Sequence, residues 1–432
     1  MNRTSHALTV AIVLGFAVAF TGRGNPVPLS LPEAHQTALR NHPQIRVADL
    51  RALAARQVTR QVQAAFYPVL SANVMSVGTV DENTRLGAIG GLNNPLILDR
   101  NAEGLVLSQL ITDFGRTANL SGSAKLQAQA EANNAQATRE QILLAVDASF
   151  FAAQQAQQVT LVAEQTVATR QLFLDQVTAK ATNKLSSELD VSFAKVNVDD
   201  ARLVLSKARN DLQAEFARLA NLLGVREAKS WRLIEEQPPP PLSTNIEELV
   251  QQGLQLRPEL LSLRNSRDAA LKLARAEKEA RYPVVSALGS AGVIPAGDSA
   301  LPDNYAAGGV SVTLPLYAGG LYAARQREAE LRAEAAQESL RDLENNVIRD
   351  VRIAWLNAQN AFDRLHITGE LLDNARLSYD LAQARYNNGI SSIVEFNQAQ
   401  LNLLAAQIAY ASTQYEYLVQ RSALSYQTGT LR

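Results

Sequence analysis

The chain has 432 residues, 47% of them hydrophobic, and balances 41 Lys and Arg against 42 Asp and Glu. It therefore carries no basic field of the kind that draws nucleic acid. Cysteine is absent, which excludes disulfides, thiol catalysis and cysteine-ligated metals.

At the N-terminus Arg3 precedes an apolar run from Ala7 to Phe20, followed by Gly22, Gly24 and Pro26. A charge, a short hydrophobic stretch and small residues in that order predict an export signal over 1–24, with cleavage near Ala19. The run is shorter than the ~20 residues a spanning helix needs. With no cysteine behind it, a lipidated N-terminus is not expected. No later segment is long and apolar enough to span as a helix, so any membrane crossing must use strands.

Residues 31–224 are predicted to form a first structural repeat. A helix from roughly Pro32 to Ala65 ends at Tyr67-Pro68, because proline disfavours helical geometry in the residue before it. Strands are expected at 69–80 and 104–112, where apolar and small or polar residues alternate around the Gly- and Asn-rich stretch Thr79–Gly104. From Gly115 to about Asn183 there is no proline and one internal glycine, Gly122. That predicts a single very long helix, then a tight turn and a shorter returning helix. Ile142, Val146, Phe150 and Ala153 mark a coiled-coil-like seam, and the many alanines suit helices in close approach. A proline-rich linker, 225–245, contains Pro238 to Pro241. The second repeat, 246–429, repeats the order: a helix from Ile246 to Ala280, strands at 284–292 and 305–316, a long helix from Leu321 to Asn388, a turn and a helix.

Two blocks of the first half recur in the second, each without an internal gap. Pro43 and Pro68 meet Pro258 and Pro283 at an offset of 215, whereas Gly115 and Gly224 meet Gly320 and Gly429 at an offset of 205. The difference is a ten-residue insertion in the first repeat, placed in the inter-strand loop, where insertions are best tolerated. The fold class is mainly α with a small β part. Four strands cannot close a membrane barrel, since the smallest single-chain barrels need about eight. Either they form a small soluble sheet, or several chains pool them.

This doubled pattern resembles the TolC-type outer-membrane efflux proteins. The resemblance rests on Pro43 and Pro258, Tyr67-Pro68 and Tyr282-Pro283, Leu107-Ser108-Gln109 leading to Asp113-Phe114-Gly115-Arg116, and Leu314 to Gly320. It rests also on Arg385 to Phe396, which is similar to the family's turn at the periplasmic end of the helices. The resemblance covers about Leu31 to Gly429. It implies long-helix hairpins forming a trimeric α-barrel, with four strands per chain contributing to a twelve-stranded transmembrane β-barrel. It further implies an outer membrane location in a Gram-negative bacterium, extending into the periplasm. The implied partners are two further copies of the chain, outer-membrane lipid, a periplasmic adaptor and an inner-membrane transporter of RND, ABC or MFS type. The implied function is a passive exit duct for an efflux pump or type I secretion system.

By the same resemblance, Asp190 and Glu395 align with acidic residues at the family's periplasmic constriction, and Tyr386 with a gate tyrosine. The family's gate arginine falls at Ser391, and Lys184 stands where the second repeat has the turn glycine. The residues themselves allow a plainer reading. Ser187 to Asp190 and Ser392 to Glu395 are both S-x-x-[DE] capping boxes, suited to starting a helix. Nothing in the chain suggests an enzyme or a cofactor. His6, His35, His42 and His366 lack metal-ligand spacing, and no phosphate loop or nucleophile elbow occurs. Phe150 and Trp355 occupy matched helix positions, as packing residues would. Two other readings compete with the duct: a periplasmic adaptor, which also contains a long helical hairpin, and a coiled-coil structural or attachment protein without a pore.

Overall fold

The computed structural model describes residues 27–77, 100–184, 187–226, 231–235, 245–296 and 303–431. The export signal, most of the Thr79–Gly104 loop and Pro238–Pro241 lie outside them. The elements in chain order begin with β1 (Val27–Leu29), α1 (Leu31–Asn41), α2 (Pro43–Gln63), β2 (Val69–Val77) and β3 (Arg100–Thr112). There follow α3 (Arg116–Thr182), α4 (Glu188–Leu222) and β4 (Trp231–Leu233). The second repeat comprises α5 (Ile246–Leu256), α6 (Pro258–Glu279), β5 (Val284–Ala296), β6 (Asn304–Thr313), α7 (Leu321–Asn387) and α8 (Ile393–Gln427).

The long helices reproduce the sequence offset. α3 and α7 each have 67 residues, and α4 and α8 each have 35. At 1.5 Å per residue the longer pair span about 100 Å. Such rods are held by lateral packing, with α3 against α4, α2, α6 and α8, and α7 against α8, α6 and α5. Much of the contact is alanine: Ala163, Ala194, Ala201, Ala208, Ala358 and Ala361 are all buried. The opposite face of α7 is solvated and paired at helical spacing, as in Arg327–Glu330 and Arg332–Glu328.

The thickest core lies partway along α3. Ile142, Val146, Phe150 and Ala153 are buried there against Ala34, Ala38 and Ile45 of the short helices and against Phe216 and Leu219 of α4. A corresponding cluster on α7 gathers Leu340, Val347 and Val351 with Val250 and Leu260. Phe150 is fully buried, whereas its counterpart Trp355 is partly buried beside Ala358 and Leu424.

Three expectations are corrected. Each short helical segment is two helices, because His42 and Arg257 precede prolines and adopt extended backbone (ψ 122° and 123°). Each proline then opens the following helix, where its missing N–H is harmless. The stretch between the repeats is more than a linker: β4 within it pairs in parallel with β1, and Trp231 and Leu233 enter the core. The strand limits also move. β3 begins at Arg100 and β5 runs to Ala296, while β6 stops at Thr313, leaving Leu316 and Tyr317 about nine-tenths exposed.

At one end of the rods, the strands form a four-stranded antiparallel sheet in the order β2-β3-β5-β6. Its register sorts residues by face. Leu70, Val74, Leu105, Leu107, Val293 and Val310 share one side, whereas Ser71, Asn73, Ser108, Ser290 and Ser311 share the other. Among the described residues β2 and β6 are open edges.

Gly104, Gly292 and Tyr305 stand in one cross-strand row. The tyrosine ring lies over both glycines: a Cβ built on Gly292 would come 2.3 Å from Glu103 O and 2.5 Å from Tyr305 Oη. Gly292→Ala should therefore break β3–β5 pairing at this row, costing about 1–3 kcal/mol as an overpacked site. Gly289→Ala, whose nearest neighbour stands at 3.8 Å, should be silent. Thermal unfolding of the two variants checks this contrast.

Candidate functional site

The opposite end of the rods carries the two hairpin turns and every gate candidate. Both turns open on a left-handed residue: Lys184 has φ 60° and Gly389 has φ 72°. A lysine in the left-handed region is strained, and glycine relieves that strain. Lys184→Gly should stabilise the first turn by about 1 kcal/mol, readable as slower hydrogen exchange around Asn183. Substitution of Gly389 by lysine should do the reverse.

The caps are unequal. Ser187 and Asp190 form a reciprocal box: Asp190 N donates to Ser187 Oγ at 3.1 Å and Ser187 N donates to Asp190 Oδ2 at 3.1 Å. At the second turn Ser392 Oγ accepts from Glu395 N at 3.3 Å, but the Glu395 carboxylate is drawn to Arg385 Nε, 3.4 Å away. The second capping box is thus half formed. The second hairpin carries an internal ionic link, Arg385 to Glu395. Both partners are about half exposed, so the link adds little stability. Ser391 Oγ itself is buried without a hydrogen-bond partner.

Tyr386 joins the two hairpins. Its ring stacks on Phe396 of α8, with centroids 5.5 Å apart and planes 13° apart, and it meets Phe173 of α3 at 5.5 Å. Phe173 also contacts Phe396, and Tyr379 closes the cluster against Phe396. Lys180 Nζ lies 5.8 Å from the Tyr386 centroid. Burial pushes the Tyr386 hydroxyl above its ordinary pKa, and the charge of Asp190 pushes it in the same direction.

The sequence reading missed Phe173 and Lys180 and gave Arg385 no role of its own. A signal existed: aromatic residues are 6% of the chain, yet Tyr379, Tyr386 and Phe396 crowd one turn. The counterparts of these three at the 205 offset are Leu174, Ala181 and Val191. The cluster therefore breaks the internal repeat.

The remaining candidates are structural. His42 caps α2, with Gln44 N donating to its Nδ1 at 3.3 Å, and burial lowers its pKa. His35 pairs with buried Asp147, and His366 lies exposed near Glu370. Among the described residues there is no cluster able to hold a metal and no helix long and apolar enough to cross a membrane.

The family model for outer membrane efflux proteins matches residues 34–225 and 249–430. Outer membrane protein TolC of Escherichia coli (strain K12) is 24% identical over 275 residues, covering 60% of this chain but 55% of the relative's length. TolC of Vibrio cholerae is 23% identical over 411 residues, covering 93% of this chain and 91% of that one. Among solved structures, CusC superposes with a TM-score of 0.77 at 20% identity, covering 92% of each chain.

Proposed function

The chain belongs to the outer membrane efflux protein family, and from that premise we propose that three copies close into one passive exit duct. Its place is the outer membrane of a Gram-negative bacterium, with the helices reaching into the periplasm. The observation that carries the reading is the open sheet with one largely apolar face, on which Glu103 and Gln109 flank Leu105 and Leu107. An unpaired edge in lipid is prohibitive, whereas β6 of one copy against β2 of the next satisfies both edges. Three sets of four strands make twelve, with the face of Leu70 and Leu107 toward lipid and the face of Ser71 and Ser108 toward the lumen.

The helices have matching free flanks. α4 packs chiefly on α3, and exposes Leu189, Phe193, Val196 and Leu203 at coiled-coil spacing. α7 exposes Ile353, Leu356, Ile367 and Leu371. A head-to-tail contact between two different flanks closes a ring when the rotation permits. The duct holds no energy source, so an adaptor and an inner-membrane transporter of RND, ABC or MFS type supply drive and cargo.

At the periplasmic end, Asp190, Glu395, Tyr386 and Ser391 form the constriction. Three copies of each carboxylate ring the passage and favour cations. The Phe173–Tyr386–Phe396 stack holds the two hairpins of each copy together. Planar-bilayer recording tests this. The purified protein should run as a heat-modifiable trimer with low, cation-selective conductance. The Asp190→Ala, Glu395→Ala double variant should conduct several-fold more with reduced cation preference. A folded trimer without conductance would remove the duct. A variant indistinguishable from wild type would remove the gate alone.

A further inference from the structure

All four strands meet the helices at the same end of the sheet, and each junction carries an exposed aromatic ring. Tyr67 precedes β2, Phe114 follows β3, Tyr282 precedes β5 and Tyr317 follows β6. The four rings are 45% to 90% exposed, and Phe114 meets Tyr282 edge-on at 6.1 Å. Aromatic girdles of this kind mark the level where a barrel passes from hydrocarbon into headgroups. The apolar face of the sheet runs into this one: Val310, Val312, Leu314 and Leu316 alternate along β6 and past its end, all exposed.

Just beyond that girdle the exposed charge has one sign. Arg60 and Lys278 occupy the last turns of α2 and α6. Arg275 lies one turn earlier, Arg281 sits between α6 and β5, and Arg325 lies in the second turn of α7. All five are exposed, and among the described residues none of them forms an ion pair. The carboxylates at this level are committed. Asp113 is buried as the cap of α3, accepting from Thr117 N at 2.7 Å. Glu279 accepts from Asn119 Nδ2 at 2.9 Å, and Glu277 is half-buried. Lys278 reaches Glu330 only through space, and that carboxylate is held by Gln326 and Arg327. Glu328 is paired with Arg332. A neighbouring copy has the same junction, so it brings no free carboxylate either. Both halves keep the pattern, since the offset of 215 maps Arg60 onto Arg275 and Tyr67 onto Tyr282.

Unpaired cations beside an aromatic girdle are complementary to a layer of phosphate esters. We propose that Arg60, Arg275, Lys278, Arg281 and Arg325 bind anionic phospholipid headgroups of the periplasmic leaflet and so fix the depth of the duct. A guanidinium suits this partner because its paired N–H donors match two phosphate oxygens. Each contact is exposed, so the effect comes from their number and is screened by salt. The inference rests on the reading of the sheet as part of a membrane barrel.

The test uses the full-length protein in nanodiscs of phosphatidylcholine, with and without phosphatidylglycerol. The unfolding midpoint of wild type should rise by several degrees with phosphatidylglycerol, and high salt should shrink the rise. Lys278→Gln, Arg281→Gln and Arg325→Gln together should abolish it, with stability in phosphatidylcholine and reversal potential unchanged. If that variant does not assemble, Arg281→Gln with Arg325→Gln serves, and should lose part of the rise. Arg281→Lys with Arg325→Lys, which keeps the charge, should retain it. Inorganic phosphate added to phosphatidylcholine discs should not replace the lipid. The proposal is overturned by no rise in wild type, by equal rises in wild type and the glutamine variants, or by free phosphate matching the lipid. A shifted reversal potential in the glutamine variants would also overturn it, because the cations would then line the lumen. Failure of the duct reading looks different: a folded trimer that does not conduct in either lipid.

Discussion

Arginine at Leu107 is expected to keep the protein out of the membrane, while arginine at the adjacent Ser108 is expected to be tolerated. Leu107 sits near the middle of β3, opposite Leu70 on β2 and Gly289 on β5. It shares its face with Leu105, Val293 and Val310. A cation facing lipid near the bilayer midplane costs about 2–4 kcal/mol, and a trimer would incur it three times. Ser108 faces the opposite side with Ser71 and Ser290, where added charge meets water. Ser108→Arg should assemble normally and shift ion selectivity toward anions. Membrane-fraction yield and heat-modifiable mobility read the first effect, and reversal potential reads the second. Equal loss in both variants would mean that the faces are not lipid and lumen.

The largest effect on stability is expected from Phe150→Ala. Phe150 is fully buried and meets Phe151 edge-on at 6.0 Å, in a cluster with Ile45, Phe216, Trp231 and Tyr415. These residues come from α2, α3, α4, β4 and α8, so the side chain anchors the point where both repeats join. Removing a buried aromatic costs about 3–5 kcal/mol, the upper end applying where rigid neighbours cannot collapse into the space. Trp355→Ala at the matched position should cost less, because that indole is only partly buried. Denaturant unfolding monitored by far-UV dichroism would rank the two variants. A smaller loss at Phe150 than at Trp355 would contradict the packing described.

The long helices were legible because Arg116–Thr182 and Leu321–Asn387 contain no proline and almost no glycine, and because each copy vouches for the other. The breaks at His42 and Arg257 were legible in principle, since the proline rule applied at Tyr67 applies equally there. β1 and β4 were not. Three-residue strands have no readable period, and their pairing joins Val27 to Trp231 across the whole first repeat. At the tips, the serine caps follow from local spacing, so both were found. Whether Glu395 returns to its own cap or goes to Arg385 is a competition between two hydrogen-bond acceptances, and the pattern S-x-x-[DE] does not contain its outcome. Phe173 was invisible for a different reason. Its partners lie on the other hairpin, so its role depends on how α3 is laid against α7 and α8.

The account rests on three chains sharing one cylinder, and an electron cryomicroscopy map of the full-length protein in lipid nanodiscs tests that most directly. The account predicts threefold symmetry, twelve strands in the lipid belt with β6 paired to the next copy's β2, and one water-filled passage narrowing at Asp190 and Glu395. A single chain in the disc, with β2 and β6 closed on each other or on its own helices and no lumen, would contradict it.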